Sequence, residues 1–261
     1  MLGLFRLLRK YHDLLYMLTL RDIKVKYKQS VMGFLWAILM PLIITSAGVV
    51  VKVGLSKVSG RPVLVTEIVG VAVKALPWAF FVASIRFSTN CLALNANLVT
   101  KIAFPRAVFP LSAVASQLFD LGVASVVLVA VLIFAPIPIT PAIAWVPVLL
   151  LILVVQVCGF GLLLSAANLF FRDVKYLVEV VLTFAIFFTP VFYDAALFGK
   201  WGTLLLLNPV APILEGLSAC IAGGRGPDLG WTLYSAGWAA LLLLVAPAVF
   251  QRLEPKFAES V

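Results

Sequence analysis

The sequence predicts an all-α integral membrane protein. Six transmembrane helices are expected, preceded by an N-terminal amphipathic interface helix, with short re-entrant gate helices before the last span. Composition, run length and charge placement carry this reading. Of 261 residues, 63% are hydrophobic and 12% charged, against roughly 45–50% and about 25% in a soluble domain. Mean hydropathy is +1.13, and apolar runs of about 20 residues recur, the length a helix needs to cross a bilayer. A water-soluble domain of this size has too little interior to hide so much apolar surface, which excludes secreted, cytosolic and disordered chains.

The elements follow in order, as an interface helix and basic linker over 1–30, a membrane domain over 31–250 and a cytoplasmic tail over 251–261. In the first 20 residues, Leu4, Leu7, Leu8, Tyr11, Leu14, Leu15 and Leu18 recur at helical spacing, with Arg6, Arg9, Lys10 and Asp13 between them. No unbroken apolar centre or small-residue cleavage site marks a signal peptide. An interfacial helix fits, and a packed terminal helix is the alternative. In 21–30, Ile23, Val25 and Tyr27 alternate with Lys24, Lys26 and Lys28 like a strand. A lone strand beside a membrane has no pairing partner, so a helix is preferred.

Span one covers 31–53, span two 67–85, span three 107–135, span four 142–171, span five 176–193 and span six 231–250. A polar connection over 56–66 joins the first two, and a mixed loop over 86–106 follows the second. Pro136, Pro138 and Pro141 stiffen one turn, and Arg172–Lys175 makes another. The segment 204–222 is apolar but interrupted by Asn208, Pro209, Pro212 and Glu215. Non-helical backbone at membrane depth persists only against protein or water, so 194–230 is read as re-entrant helices of an outer gate.

Charge orients the chain. With both termini inside, fourteen of the twenty Lys and Arg residues lie on inner segments and five on outer ones, with Lys74 inside span two. The net charge of +9 then reflects loop asymmetry and anionic headgroups, and no nucleic-acid partner is expected.

Catalytic chemistry is not legible. His12 is the lone histidine, the eleven acids are scattered, and Cys91, Cys158 and Cys220 form no metal or disulfide pattern. No phosphate-binding glycine loop occurs, since Gly199-Lys200 is followed by Trp201. No catalytic residue, metal or cofactor is expected in this chain. Lys74, Asp120 and Glu179 fall at membrane depth, where ions pair or face a watery cavity. A Lys74–Asp120 pair between adjacent spans, holding helices together or lining a pore, is the expectation.

Four local motifs stand in order: LRDIKVKYKQSVMGFLWAILMPL over 20–42, NANLVTKIAFPRAVFPL over 95–111, NLFFRDV over 168–174 and TPVFY over 189–193, followed by Asn208-Pro209. This ordered set resembles the membrane subunit of type-2 ATP-binding-cassette exporters of lipid-linked polysaccharide, the permeases for O-antigen, teichoic acid and capsule. The resemblance implies a homodimer in the bacterial inner membrane, with two separate ATPase subunits that bind ATP and magnesium. It implies an interface helix, here Arg21, Asp22, Lys24, Lys26 and Tyr27, and outer gate helices, here with Asn208, Pro209 and Glu215. Lys74 departs from the mostly apolar pattern of such permeases.

The resemblance also implies a coupling helix over 95–106. Leu98 and Ile102 form an i, i+4 stripe beside Lys101, and Asn95, Phe104, Pro105 and Arg106 frame it. An ordinary basic loop on lipid headgroups is the alternative. Arg172 and Asp173 form a second inner contact, or merely cap helix ends. Trp78, Phe80, Phe81, Phe184, Phe187, Phe188, Phe192 and Tyr193 are candidate channel aromatics for sugar stacking, or lipid-facing packing residues. Three other readings are a drug exporter of the same superfamily, a membrane enzyme acting on lipid-linked sugars and a purely structural membrane scaffold.

Overall fold

Lipid gives the backbone no hydrogen-bond partners, so a chain this apolar satisfies its own N–H and C=O groups in helices. The computed structural model describes residues 10–28, 35–60, 62–101, 104–134, 137 and 140–259, which contain helices and turns but no strand. In order these are α1 (His12–Lys28), α2 (Leu35–Ser59), α3 (Val65–Leu94), α4 (Ala96–Lys101), α5 (Val108–Phe134), α6 (Val146–Phe170), α7 (Val174–Phe188), α8 (Gly202–Leu206), α9 (Ala211–Ile221) and α10 (Leu229–Leu253). Short 3-10 segments at Pro141–Trp145, Ala195–Trp201 and Glu254–Glu259 precede α6, precede α8 and follow α10.

Among the described residues, five stretches are long and apolar enough to cross a membrane: Ile38–Val58, Val65–Leu94, Val108–Ala130, Pro141–Phe170 and Leu229–Phe257. The fifth span expected from sequence is the 15-residue α7, about 22 Å long at 1.5 Å per residue. It stops where it does because a proline disfavours helical backbone at the preceding residue. Thr189, before Pro190, is extended at φ −116°, ψ 132°.

Two boundaries correct the sequence reading. The loop expected over 86–106 is mostly helix, because nothing between Ile85 and Leu94 breaks the apolar periodicity of α3. Of the polar tail expected over 251–261, the described residues continue α10 to Leu253 and add a 3-10 turn to Glu259. Phe257 is fully buried, its ring 5.2 Å from Phe250 and 5.7 Å from Phe170.

Helix α3 lies at the centre, packed against α2, α5, α6 and α9. Close approach has a local cause at Gly70, where an added Cβ would meet Ser218 Oγ of α9 at 2.7 Å. One core runs through the bundle and includes Trp78, Phe80, Leu153, Ile213, Leu214 and Leu217. A second gathers Leu18, Leu92, Val99, Phe109, Leu169, Phe250 and Phe257 at one end. That end carries α4, Arg106, the Arg172-Asp173 turn and the chain's last turn, and is the basic end below. The segment from Thr189 to Gly230 forms the opposite end.

Candidate functional site

At the basic end, Asn95 builds the corner between α3 and α4. Its side-chain amide donates to the Cys91 carbonyl at 2.7 Å, and its own carbonyl accepts from the N–H groups of Leu98 and Val99. The six residues of α4 are thus fixed to the end of α3. Of the expected apolar contact points, Leu98 and Phe104 face inward, packing against the core that holds the fully buried Val99. Phe104 lies 5.4 Å from Phe109. Leu94, 79% exposed, and Asn97 and Thr100 form the outward face that the i, i+4 stripe did not single out. Lys101 ends α4, Ile102 lies outside the described residues, and Pro105 leads into α5.

Arg106 also faces inward. Its guanidinium donates to the carbonyls of Val99, at 3.2 Å, and Glu254. Beside it, Phe171, Arg172 and Asp173 form an exposed turn. Buried Asn168 fixes that turn: its amide donates to the Thr89 carbonyl at 3.0 Å, and its oxygen accepts from the Lys175 N–H at 3.1 Å. Asp173 stands at the N-terminus of α7, its carbonyl accepting from the Tyr176 and Leu177 N–H groups and its side chain making no hydrogen bond to the helix.

Helix α1 packs along α5, with Leu18 buried in the basic-end core. The helical reading of 21–28 holds despite the alternation. Arg21 pairs with Asp22 at 2.8 Å, and Asp22 accepts from Ser112 at 3.3 Å. Lys26 donates to Gln117 at 3.1 Å and pairs with Asp120, which also accepts from the Tyr27 hydroxyl. Burial, then the Asp120 carboxylate, pushes the Tyr27 phenol up. Lys24 is exposed.

The expected Lys74–Asp120 pair is therefore corrected. Asp120 takes its cation from α1. Lys74, 1% exposed, points the other way and donates to the Tyr193 carbonyl at 2.7 Å, Asp194 at 2.8 Å and Glu215 at 3.5 Å. Lys52 of α2 holds the second oxygen of Asp194 at 2.9 Å. Burial alone would raise the Asp194 carboxyl, but Lys74 and Lys52 hold it below the usual range. Asp194, 2.8 Å from Lys74 and 2.9 Å from Lys52, is the principal counterion, with Glu215 at 3.5 Å from Lys74.

Between α2, α3, α5 and α7 lies a cavity of about 470 Å³. Its body is apolar, with Leu76, Trp78, Phe80 and Ile186, while Lys26, Arg86, Gln117 and Asp120 contribute its polar groups. Of the candidate channel aromatics, Trp78 and Phe80 border it. Phe81 stacks on Trp78 at 5.5 Å. Phe184, Phe187 and Phe188 are exposed on the outer face of α7. Phe192 packs against the central core, and Tyr193 donates to the Phe187 carbonyl at 2.6 Å. Glu179 pairs with Arg86 at 2.7 Å.

The opposite end carries the broken segment. Asn208 donates to Thr189 Oγ1 at 2.9 Å, and the Pro209 carbonyl accepts from Gln156 at 3.3 Å and Ser235 at 2.8 Å. Short apolar helices, Ala195–Leu206 and Ala211–Ile221, flank this anchored turn. Sequence reasoning missed Lys52, Gln156 and Ser235, whose partners lie 142, 53 and 26 positions away. Nothing in local spacing could have found them.

A central helix bundle with a docked basic start, a tethered short helix at one end and a broken apolar hairpin at the other defines a multi-pass membrane protein of the transporter kind. The match is to the ABC-2 type transporter model, over residues 13–221, and the chain belongs to that family. Among relatives, it is 30% identical over 253 residues to an O-antigen export system permease protein RfbA of Klebsiella pneumoniae, covering 95% of this chain and 94% of that one. A second such protein from Klebsiella pneumoniae is 28% identical over the same shares. The RfbA of Myxococcus xanthus is 29% identical over 265 residues, covering both chains in full.

Proposed function

We propose that this chain is the permease subunit of an ATP-driven exporter that moves lipid-linked polysaccharide, O-antigen above all, outward across the bacterial inner membrane. Two copies enclose the path. Two separate ATPase subunits, which hold the ATP and magnesium, dock on the basic end. That end faces the cytoplasm together with both termini, and α7 supplies the sixth crossing. The carrying observation is the near full-length likeness to three O-antigen export permeases.

The geometry supports a lever at the basic end. A docking subunit that moves α4 also moves α3, through the Asn95 corner, and the chain's last turn, through Arg106. Leu94, Asn97, Thr100 and the 171–173 turn present the outward surface for that contact. Leu98 and Phe104 transmit the motion into the core rather than meeting the partner.

Co-purification tests this reading. A tagged chain expressed with the ATPase gene of its own cluster retains that subunit, and Leu94→Asp together with Arg172→Glu releases it. A stably inserted chain that never retains an ATPase subunit overturns the proposal.

A further inference from the structure

Lys74 is an ammonium on a membrane-spanning helix with 1% of its surface exposed. Such a charge persists only when paired and hydrogen-bonded. Its three donors meet three acceptors, and all three belong to the opposite-end segment: the Tyr193 carbonyl, Asp194 and Glu215. Lys52, also buried, adds α2 to the same carboxylate. Two cations and two carboxylates thus bind α2, α3 and α9 to the point where the chain leaves Tyr193. Glu215 closes the set by accepting the Ala195 N–H at 3.0 Å.

The two helices that follow differ in how they are held. Helix α9 is part of the core, with Ala211, Ile213, Leu214, Leu217 and Cys220 buried. The stretch Ala195–Leu206 exposes Leu197, Phe198, Trp201 and Leu204. It is secured chiefly at its two ends: by the charge cluster at Asp194, and by Asn208 and the Tyr234 bond to the Leu207 carbonyl at 2.7 Å. Lifting α9 would strip a core, whereas lifting Ala195–Leu206 breaks few apolar contacts. Gly199, at φ +52°, turns the chain inside this stretch, a conformation that side chains on L-residues disfavour.

We infer that Lys74 is the positioning residue of the outer gate: with Lys52 it latches Asp194, so that Ala195–Leu206 is the flap that moves and α9 is the fixed post. The inference rests on the exporter reading, because a flap needs a path to close. Removing Lys74 leaves two acids beside Lys52 alone, and the closed position loses its main attachment.

The test uses the full chain with its ATPase subunit in proteoliposomes. Ala195→Cys puts a thiol under the latch, where Ala195 is 5% exposed. Its reaction with a membrane-impermeant maleimide is measured above the labelling of the parent chain. With an otherwise unaltered chain, labelling rises only during ATP hydrolysis. Lys74→Met should make labelling ATP-independent and at least about tenfold faster at rest, the factor by which a loss of about 1.4 kcal/mol shifts a two-state equilibrium. Asp194→Asn should act in the same direction and leaves α3 untouched, so it carries the test if Lys74→Met fails to insert. Lys52→Met should act least. Variants that insert, melt lower and keep ATP-dependent labelling would reduce Lys74 to a packing role and overturn the latch. Without Lys74 changed, absence of both export and ATP-dependent labelling would instead overturn the exporter reading.

Discussion

Arg106 and Glu254 close the basic end across 148 positions of sequence. The Arg106 N–H donates to Glu254 Oε1 at 2.7 Å, and its guanidinium donates to the Glu254 carbonyl. The same guanidinium lies 6.0 Å from the Phe257 ring. The two residues join the start of α5 to the end of α10, with α4 between them. The last turn is therefore a strut for the surface that carries α4.

Cutting that strut should loosen the basic end without unfolding the bundle. Phe257→Ala should cost about 3–5 kcal/mol, the usual loss for a buried aromatic truncated to alanine. Glu254→Ala leaves the part-buried Arg106 N–H without its acceptor and should cost about 1 kcal/mol. Thermal denaturation in detergent reads both, and Phe257→Ala should melt lower than Glu254→Ala.

The inward and outward residues of α4 should separate by phenotype. Leu98→Asp puts a charge into the basic-end core, so the chain should melt lower and lose export. Leu94→Asp alters a side chain already facing out and should leave the melting temperature unchanged while ATPase retention falls. Paired melting and pull-down measurements distinguish the two.

Asp120 anchors α1 through Lys26 and Tyr27. Asp120→Ala removes the carboxylate to which both donate and leaves the Lys26 charge with Gln117 but no counterion, and breaking such a part-buried pair is costly because the remaining charge stays behind. Limited proteolysis should then cut between α1 and α2 faster than in the unaltered chain. Tyr27→Phe, which removes one donor only, should have a smaller effect.

The candidate channel aromatics should split likewise. Trp78→Ala and Phe80→Ala enlarge the 470 Å³ cavity and remove buried rings, costing about 3–5 kcal/mol each. Phe187→Ala, on an exposed face, should cost under about 1 kcal/mol in a single protomer. A larger melting shift at Phe187 in the assembled complex would mark that face as covered there.

Much of the fold was legible because lipid leaves few options. Apolar runs had to be helices, Asn208 and Pro209 had to break one, and the strand-like alternation of 23–28 had to yield to helix, whereas Glu215 breaks nothing and lies within α9. End points were harder. Ile85 marked the apparent end of a span by hydropathy, yet α3 continues to Leu94, because helices end at breakers rather than where polarity begins. The site was legible by residue type and obscure by partner. Lys74, Asp120 and Glu179 stood out as costly charges, but Lys74 and Asp120 found partners other than each other, and Glu179, for which spacing offered no partner, pairs with Arg86. Which ions meet depends on helix rotation and tilt, and neither is written in spacing. Phe257 looked like tail because polar or small residues flank it on both sides, while its burial comes from Phe170, Phe250 and Arg106, which lie elsewhere in the chain.

The central claim is that a partner's nucleotide cycle drives polysaccharide through this chain. Surface polysaccharide measures it most directly, on cells lacking the native permease and supplied with this chain plus either an intact or a hydrolysis-dead ATPase subunit. The account predicts glycan at the surface with the intact subunit and its accumulation inside with the dead one. Equal surface glycan in both cells, or none in either while the chain is inserted and stable, would contradict it.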